Sequence, residues 1–216
     1  MYSGKMTMKK ISVVASCYNE EQNLDELYER LIAQFEKFHD KYNFECILTD
    51  NGSSDNTENK LREIAKKDSR FKIIINSRNF GHIRSPYNTL LSASGDAIIS
   101  IASDLQDPPE LIEELIKKWE DGNKVVLLQK NTSDENKIVF NIRKLYYYIL
   151  SKIADNGVIL AQNCTGSGLI DRCVLNYLKQ VNDPYPYYRG LICEAGFKRA
   201  YVNFNQPVRK KGISAN

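Results

Sequence analysis

Apolar and polar positions alternate along residues 1–130 in a way that predicts four strand–helix pairs followed by a fifth strand. Short apolar runs bounded by polar turns indicate buried strands, whereas apolar residues at helical spacing, such as Leu24, Leu27 and Leu31, indicate amphipathic helices. The strands are predicted at Ile11–Cys17, Phe44–Thr49, Phe71–Ile75, Ile98–Ile101 and Lys124–Gln129. Strands that alternate with helices predict an α/β fold with a mainly parallel central sheet and helices on both faces.

Polar residues after each strand predict where the helices begin. Asn19 is expected to cap the first helix, and Ser54 or Asp55 the second. The helix after Pro109 is expected to stop at Asp121–Gly122, because glycine commonly follows a helix end. Each strand is therefore followed by a polar turn at the end of the sheet where α/β proteins bind ligands.

The remainder of the chain is less regular but continues the same types of element. An aromatic-rich amphipathic helix is predicted at Ile138–Ile153, and a glycine-punctuated turn entering a strand at Asn163–Asp171. Helices are predicted at Arg172–Val181 and Arg189–Ala195, and a strand at Lys198–Asn203. The length of 216 residues is suited to one large domain, or to a domain with a small extension.

Composition excludes several classes of protein. Hydrophobic residues make up 42% of the chain and charged residues 26%, and the net charge of +3 is too small to argue for nucleic acid binding. The five cysteines are odd in number and form no CxxC motif, so we expect reduced core residues. No apolar run is long enough to cross a membrane, and the N-terminus lacks the apolar region of a signal peptide.

The stretch DLQDPPE at residues 104–110 carries the strongest chemical signal. Asp104, Gln106 and Asp107 lie where the central strand is predicted to end. Asp107 is expected to cap the next helix, with Glu110 completing a capping box. A carboxylate and an amide at this spacing can hold a divalent cation through oxygen ligands. This turn is therefore predicted to bind a metal and the diphosphate of a sugar nucleotide.

Two common nucleotide-binding motifs are absent from the sequence. The turn after the first strand reads SCYNEEQN and contains no GxGxxG, and no GxxxxGK[ST] occurs in the chain. The first two turns carry acids and amides instead, which suit hydrogen bonds to a base and ribose. A dinucleotide Rossmann site and a P-loop enzyme are both excluded on these grounds.

Four turns together resemble those of family-two inverting glycosyltransferases with the GT-A fold: YNEE at 18–21, DNGSSDNT at 50–57, RNFG at 78–81 and DLQDPPE at 104–110. With TGSGLIDR at 165–172 and RKKGIS at 209–214, the chain is most similar to the branch that transfers sugars to polyprenyl phosphates. Dolichyl-phosphate mannose synthase and the bactoprenol glucosyltransferases belong to that branch. The resemblance implies a single GT-A catalytic domain over residues 1–216, with a nucleotide-sugar site at the carboxyl ends of the strands. Residues 11–130 would form the nucleotide-binding half, and 131–216 the acceptor half and a basic C-terminal segment.

The resemblance also implies roles for individual residues. Asp104 would be the metal-binding acid of the usual DxD motif, with Gln106 as a second ligand of Mg²⁺ or Mn²⁺ or of the diphosphate. Arg209, with Gly212 and Ser214, matches an RxxGxS motif that closes over the diphosphate, so Asp104 and Arg209 would be the catalytic residues. The other donor-side residues would be Tyr18 and Glu20 at the base and ribose, Asp50 or Asn51 at the base, Arg78 and Asn79 at the diphosphate or sugar, and Ala102 and Ser103. The acceptor side would contain Gly166, Ser167 and Gly168.

Three positions depart from the family pattern. Ala102 replaces the first acid of DxD, Asn51 replaces one acid of a base-reading pair, and Ser167 stands where a further acid is often found. With one acid left in the motif, the metal would depend largely on the diphosphate and water. A phosphate acceptor is already anionic and tolerates Ser167, whereas a sugar hydroxyl needs a general base. Asp171, the other carboxylate near that turn, is expected to cap the next helix.

The resemblance thus implies a metal-dependent enzyme of cell-envelope polysaccharide biosynthesis. It would move a hexose or N-acetylhexosamine from a UDP- or GDP-sugar to a polyprenyl phosphate at the cytoplasmic face of the cell membrane. One alternative is transfer to a saccharide hydroxyl, and another is a non-catalytic nucleotide-sugar-binding protein, motivated by Ala102 and Ser167. We expect a peripheral membrane location, with either a longer membrane-associated chain or a separate anchor; the alternative is a complete soluble enzyme. Tyr185–Tyr188 would either pack in the core or form a platform for the acceptor or the membrane interface.

Overall fold

One seven-stranded sheet organises the computed structural model, which describes residues 8–131, 164–181 and 183–209. Its strands are β1 (Lys9–Cys17), β2 (Tyr42–Asp50), β3 (Phe71–Ile75), β4 (Ala97–Ser100), β5 (Val125–Lys130), β6 (Cys164–Asp171) and β7 (Arg199–Phe204). They lie in the order β3-β2-β1-β4-β6-β5-β7. Strands and helices alternate along the chain, which confirms the predicted α/β class.

The sheet is parallel around β1 and mixed beyond β4. β1 pairs in parallel with β2 on one side and with β4 on the other, and β2 pairs in parallel with β3. β6 runs antiparallel to both β4 and β5, while β5 and β7 are parallel. Because β1, β2 and β4 are parallel, Cys17, Asp50 and Ser100 end at the same side of the sheet, which we call the carboxyl edge. The antiparallel β6 begins at that edge.

Helices cover both faces of the sheet. In the described residues they are α1 (Leu24–Lys37), α2 (Thr57–Lys67), α3 (Gly81–Leu91), α4 (Ile112–Glu120), α5 (Arg172–Val181) and α6 (Tyr188–Glu194). α1, α2 and α4 pack in one buried cluster with Val13, and α3, α5 and α6 pack in a second with Val14. Successive residues of a strand point to opposite faces, and β1 is covered on both: Ile11, Val13 and Ala15 pack on one face, and Val14 packs on the other beside the buried Ser12.

The structure contradicts the helix caps predicted for α1 and α2. α1 begins at Leu24, directly after Asn23, so the predicted cap at Asn19 is wrong. Asn19 has a positive φ of 55°, and its Oδ1 accepts a hydrogen bond from the Ser54 N–H (2.9 Å), so its side chain joins two turns instead. α2 begins at Thr57, directly after Asn56, so neither Ser54 nor Asp55 is its N-cap, although Asp55 Oδ1 accepts a hydrogen bond from the Thr57 N–H (3.0 Å). The predicted helix Ile138–Ile153 lies outside the described residues.

Asp171 caps α5 as predicted. Its Oδ1 accepts the Cys173 N–H (3.0 Å), and its Oδ2 accepts hydrogen bonds from Trp119 Nε1 and Lys124 Nζ, both at 2.8 Å. Burial opposes ionisation, but the hydrogen bonds from Lys124, Cys173 and Trp119 hold the pKa of Asp171 at about 2. Asp171 is therefore committed to the packing of α4, α5 and β5 and lies away from the carboxyl edge.

The cysteine prediction holds except at one position. All five thiols are free, and four are buried, but Cys173 is exposed. It lies on the solvent side of α5, whereas the next residues, Val174 and Leu175, face the sheet. Within the described ranges, no helix combines the length and the apolar character needed to cross a membrane.

Candidate functional site

Polar turns from the ends of β1, β2 and β4 meet at the carboxyl edge. The first two turns are joined directly: the Asn19 N–H donates to Ser53 Oγ (2.9 Å) and the Glu20 N–H donates to Thr57 Oγ1 (2.8 Å). Asp50, the last residue of β2, is buried and accepts the Ser53 N–H through both carboxylate oxygens (3.3 Å each). The fold therefore brings the YNEE and DNGSSDNT motifs into contact, with Tyr18 half-buried beside them.

Glu20 is buried at this junction, with 6% of its surface exposed. Asn23 Nδ2 donates to Oε2 (2.5 Å), and Arg209 Nη2 donates to Oε1 (2.8 Å). Burial raises the pKa of Glu20, while the hydrogen bond from Asn23 and the charge of Arg209 oppose that rise. Both oxygens are engaged by side chains, so the orientation of the carboxylate is set before any ligand arrives.

Arg209 links Glu20 to Asp104. Its Nη1 lies 3.6 Å from Asp104 Oδ2, and Asp104 Oδ1 accepts the Gln106 N–H (3.1 Å). One guanidinium thus lies between two carboxylates that come from the turns after β1 and β4. A planar guanidinium is well suited to binding phosphate oxygens, so this is where a diphosphate would meet positive charge. Gly212 and Ser214, the other residues of the RxxGxS motif, lie outside the described residues.

Asn51 joins the second turn to the RNFG turn. Its Oδ1 accepts hydrogen bonds from the Phe80 N–H (3.0 Å) and Asn76 Nδ2 (3.1 Å), and its Nδ2 donates to Asn79 Oδ1 (2.9 Å). An ionised aspartate at position 51 could not donate to Asn79. The departure from the family's acid pair therefore has a local physical reason, and the predicted contact of Asn51 with the base stays a prediction.

Gly52 lies directly against the backbone of the RNFG turn. It has a φ of +74°, and a Cβ atom there would be 2.6 Å from the Arg78 carbonyl carbon. A larger residue would force the two turns apart. Arg78 is exposed, with its guanidinium 4.1 Å from the centre of the Phe80 ring and its Nη1 donating to the Asn79 carbonyl (3.1 Å). Arg78 and Asn79 are thus held together at the rim of the carboxyl edge.

The structure contradicts the predicted helix cap at Asp107. The 3₁₀ turn Pro109–Leu111 that leads into α4 has no side-chain cap, and Glu110 pairs with Arg30 instead of completing a capping box (Oε1 to Nε 2.9 Å). Leu105 has a φ of +64°, which folds the segment back on itself. The carboxylate of Asp107 therefore reaches back to the strand end and away from the helix N–H groups.

Asp107 instead joins the DLQDPPE turn to β6. Its Oδ2 accepts hydrogen bonds from Ser167 Oγ (2.5 Å) and from the Ala102 N–H (3.3 Å), and only 2% of the residue is exposed. Its other oxygen, Oδ1, is buried without a hydrogen-bond partner. Burial raises the pKa of Asp107, and the hydrogen bonds from Ser167 and Ala102 limit that rise. Sequence reasoning missed this contact because no motif connects positions 107 and 167.

The predicted acceptor residues Gly166, Ser167 and Gly168 lie on β6 at the carboxyl edge. Gly168 has a φ of +149°, and a Cβ there would overlap the carbonyl oxygen of Val126 on β5. Arg189, near the start of α6, lies beside Gly166, and its Nη1 donates to the Cys164 carbonyl (3.1 Å). Sequence reasoning missed Arg189 as well, since it belongs to no recognised motif and only the fold brings it to this turn.

Ala102 and Ser103 connect the β4 turn to its surroundings. The Ser103 hydroxyl donates to the Ser16 carbonyl on β1 (3.0 Å), and the Ala102 N–H donates to Asp107. The predicted donor-side residues that the structure describes lie at the carboxyl ends of β1 to β4 or on the turns that follow them: Tyr18, Glu20, Asp50, Asn51, Arg78, Asn79, Ala102, Ser103, Asp104 and Gln106. Ala102 has no side-chain oxygen, so of the DxD positions only Asp104 offers a carboxylate.

The oxygen atoms that Asp104 and Gln106 could offer to a metal fit a divalent cation that takes most of its ligands from a substrate. Oδ1 is hydrogen-bonded to the Gln106 N–H, and Oδ2 faces Arg209. Among the residues that the structure describes, no group of three or more His, Cys, Asp or Glu side chains could hold a metal ion. Mg²⁺ is commonly held by one or two carboxylates together with substrate phosphates and water. Asp104 and the amide oxygen of Gln106 suit a site that a diphosphate would complete.

The fold is that of GT-A glycosyltransferases. It is similar to the mannosyltransferase PcManGT from Pyrobaculum calidifontis in complex with GDP-Man and Mn²⁺, with a TM-score of 0.61, 16% identity, and coverage of 92% of this chain and 56% of that one. It is also similar to glucosyl-3-phosphoglycerate synthase from Mycobacterium tuberculosis with Mn²⁺, UDP and phosphoglyceric acid, with a TM-score of 0.64, 19% identity, and coverage of 95% and 72%. The mycobacterial enzyme has also been solved with Mg²⁺ and UDP.

The chain belongs to glycosyl transferase family 2, whose model matches residues 12–170. The uncharacterized glycosyltransferase YkcC of Bacillus subtilis is 36% identical over 203 residues, which cover 93% of this chain and 61% of YkcC. The bactoprenol glucosyl transferase of Shigella phage SfV is 29% identical over 206 residues, which cover 95% and 66%. The chain therefore spans less than two thirds of the length of these curated relatives. The predicted family and fold are confirmed.

Proposed function

We propose that this chain transfers a sugar, with inversion, from a UDP- or GDP-sugar to a polyprenyl phosphate at the cytoplasmic face of a membrane. The observation that carries the proposal is the position of Arg209 between Glu20 (2.8 Å) and Asp104 (3.6 Å) at the carboxyl edge. At this position the guanidinium of Arg209 would offer positive charge to the leaving diphosphate of the donor. Family membership supports glycosyl transfer, and similarity to a bactoprenol glucosyl transferase supports a lipid phosphate as acceptor.

In this proposal the donor lies across the turns of β1, β2 and β4. Tyr18 and Glu20 contact the base and ribose, and Asp104 and Gln106 hold Mg²⁺ or Mn²⁺, which would neutralise charge on the leaving diphosphate. Arg209 donates hydrogen bonds to the same diphosphate, most strongly as its negative charge develops. The chain's own contribution is thus to orient the donor and to stabilise the leaving group.

The acceptor turn on β6 suits an anionic nucleophile. A phosphate oxygen of the acceptor forms the new bond to the anomeric carbon while the bond to the diphosphate breaks, and the bonding electrons leave with the nucleoside diphosphate. No proton has to be removed, so Ser167 in place of an acid is compatible with the step. Arg189, beside Gly166, supplies a guanidinium that can bind the acceptor phosphate.

One observation favours a second candidate function, transfer to a saccharide hydroxyl. A hydroxyl acceptor needs a general base, and Asp107 is a buried carboxylate hydrogen-bonded to Ser167 on the acceptor turn. A third candidate is a non-catalytic nucleotide-sugar-binding protein, which the replacement of two family acids by Ala102 and Ser167 favours. The three candidates differ in their products.

A product assay tests the proposal. The chain is incubated with labelled UDP- or GDP-sugars, Mg²⁺ or Mn²⁺, and either polyprenyl phosphate or a saccharide. We expect release of nucleoside diphosphate and label that extracts with polyprenyl phosphate in wild type and in Asp25→Ala, an exposed control, but not in Asp104→Ala. Label in the saccharide alone would select the second candidate. Donor binding without release of nucleoside diphosphate would select the third.

A further inference from the structure

A pocket of about 240 Å³ lies between α3, α5 and the segment that connects α5 to α6. It is separate from the turns described above, and no role has been assigned to it. Its lining includes Arg84 and Tyr87 of α3, Leu178 and Lys179 of α5, and Pro184 and Pro186 of the connecting segment. α5 ends near the carboxyl edge because it runs back along β6, which is antiparallel to β4. The pocket therefore lies on one face of the sheet, beside the candidate site.

Several exposed apolar side chains lie close in the chain to the residues that line this pocket. Of the large apolar side chains that are exposed in the described residues, four lie within two positions of a lining residue: Ile83 (51% exposed), Val181 (36%), Tyr185 (74%) and Tyr187 (49%). Exposed apolar residues that are grouped on a folded surface mark an interaction site, whereas single exposed apolar residues are ordinary. We call Ile83, Val181, Tyr185 and Tyr187, together with Arg84 and Lys179, the Tyr185 surface.

The polar part of the Tyr185 surface is mainly basic. The guanidinium of Arg84 lies 4.1 Å from the centre of the Tyr185 ring, and Lys179 is exposed. The one carboxylate that lines the pocket, Asp183, accepts the Tyr185 N–H through Oδ1 (2.8 Å). Two cations thus face one carboxylate that is already hydrogen-bonded. Basic groups beside amphipathic tyrosines are typical of surfaces that contact anionic lipid, where rings lie at the headgroups and cations reach phosphates.

Local geometry holds the two tyrosines outward. Tyr185 lies between Pro184 and Pro186, which restrict the backbone on both sides. The ring of Tyr187 packs on Gly190, where a Cβ atom would be 2.5 Å from Tyr187 Cδ1. A ring that is already restricted by contact with Arg84 or Gly190 loses less conformational entropy on entering a lipid headgroup layer than a freely rotating one. The surface is therefore already arranged for contact with a bilayer.

We propose that the Tyr185 surface is the face by which this chain lies on an anionic bilayer, with its tyrosines among the lipid headgroups and Arg84 and Lys179 at lipid phosphates. The proposal rests on the proposed function in one respect, namely that a polyprenyl phosphate is reached from a bilayer. Tyr187 is two positions before Arg189, whose side chain lies beside Gly166. A bilayer on this surface would present lipid phosphate next to the acceptor turn.

Vesicle co-sedimentation of the full chain tests the surface. At low salt we expect binding to vesicles of equal parts phosphatidylglycerol and phosphatidylcholine, and none to phosphatidylcholine alone. Arg84→Gln and Lys179→Gln should each weaken partitioning about fivefold, since a basic residue near an anionic surface contributes about 1 kcal/mol. Tyr185→Ser should weaken it as well. The matched controls are Arg62→Gln, on α2 across the sheet, and Met8→Ser, at the other edge, and both should partition like wild type.

Three results would overturn the assignment of this surface: no binding of wild type to anionic vesicles, an equal loss in Arg62→Gln and Arg84→Gln, or release from vesicles by inorganic phosphate at constant ionic strength. Release by inorganic phosphate would mark a site for soluble phosphate.

Calorimetry with UDP and Mn²⁺ separates the proposed membrane surface from the proposed function. Unchanged UDP binding in every variant, with vesicle binding weakened only in the three surface variants, supports the surface. Normal vesicle binding by a wild-type chain that binds no nucleotide would refute the proposed function and leave the surface standing.

Discussion

Arg209 Nη2 lies 2.8 Å from Glu20 Oε1, although 189 positions separate the two residues in the chain. The same guanidinium is 3.6 Å from the carboxylate of Asp104. Arg209 therefore occupies the carboxylates that the proposed ribose and cation would contact. If a donor and its cation bind there as proposed, they must share or displace this guanidinium, so we expect Arg209 to oppose cation binding before the donor arrives and to assist the leaving group afterwards.

Replacing Arg209 should separate these two effects. In Arg209→Gln we expect turnover to fall on the order of 100-fold, because a positioned donor to the leaving group is lost. We also expect Mn²⁺ to bind several-fold more tightly without nucleotide, since the positive charge beside Asp104 is removed. Steady-state kinetics and calorimetry measure the two changes. Arg30→Gln, which removes a surface ion pair to Glu110, is the matched control. Full turnover in Arg209→Gln, or in a chain ending at Val208, would contradict the prediction.

Asp104 is expected to be the residue through which the metal acts on donor binding. Asp104→Ala should eliminate the Mn²⁺-dependent part of UDP or GDP binding, because no second acid is present at Ala102. Melting temperature should change little, since Asp104 is paired only with Arg209 and the Gln106 N–H in the contacts described. Ala102→Asp should tighten metal binding by adding a carboxylate. Nucleotide binding that is equal with Mn²⁺ and with excess chelator in wild type would rule out this role.

The hydrogen bond from Ser167 to Asp107 should make stability depend on pH in a specific way. Burial raises the pKa of Asp107, so the folded state favours the protonated form. This carboxylate therefore lowers stability as pH rises from its unfolded pKa, about 3.9, toward its folded pKa. Removing the Ser167 hydroxyl should raise the folded pKa further and cost about 1–3 kcal/mol near neutral pH.

Thermal unfolding of Ser167→Ala at two pH values checks this sign. We expect a larger loss of melting temperature at about pH 7 than at about pH 3, where the carboxyl is largely protonated in both states. Ser92→Ala is the control, because the Ser92 hydroxyl donates to the Asn88 carbonyl and has no carboxylate partner in the contacts described. Equal losses at both pH values would show that Asp107 is not ionised in the folded protein.

Glu45 lies away from the carboxyl edge, and its pKa is lowered, whereas the pKa of Asp107 is raised. It is buried on β2 and accepts hydrogen bonds from Ser12 Oγ (2.6 Å) and Lys72 Nζ (2.7 Å). Burial alone would raise its pKa, but the hydrogen bonds from Lys72, Ser12 and Ser94 hold the pKa well below the ordinary value. A lowered folded pKa contributes stability above the unfolded pKa of about 4.3, and this stability is lost as pH falls toward the folded pKa.

Glu45→Gln should therefore destabilise the protein by about 2 kcal/mol at neutral pH, where hydrogen bonds to a charged group are lost. The loss should shrink in acid, and UDP binding should be unchanged at temperatures where the variant is folded. Denaturant unfolding at neutral and acid pH measures the difference. Glu63→Gln, an exposed glutamate on α2, should match wild type at both. A pH-independent difference between Glu45→Gln and wild type would contradict the assignment.

The periodicity of the sequence was enough to predict the α/β class and most elements. In the first strand the apolar residues Ile11, Val13, Ala15 and Cys17 alternate along one face, and Val14 lies on the other. The strand was therefore predicted nearly to its ends. α5 was predicted residue for residue, because Val174, Leu175 and Leu178 follow helical spacing and Asp171 precedes them as a cap. These features depend on neighbours within a few positions, which the sequence displays directly.

The contacts that build the candidate site were decided by the tertiary structure. The local rule for capping predicted that Asp107 would bond to its own helix, but a partner 60 positions away, Ser167, takes its carboxylate. Arg189 reaches Gly166 because β6 turns back antiparallel at the carboxyl edge, an ordering that no local pattern specifies. Arg209 likewise meets Glu20 only in the folded chain, because the order of the strands brings these two distant segments together. Local patterns describe residues a few positions apart, whereas these contacts depend on which strands become neighbours in the sheet.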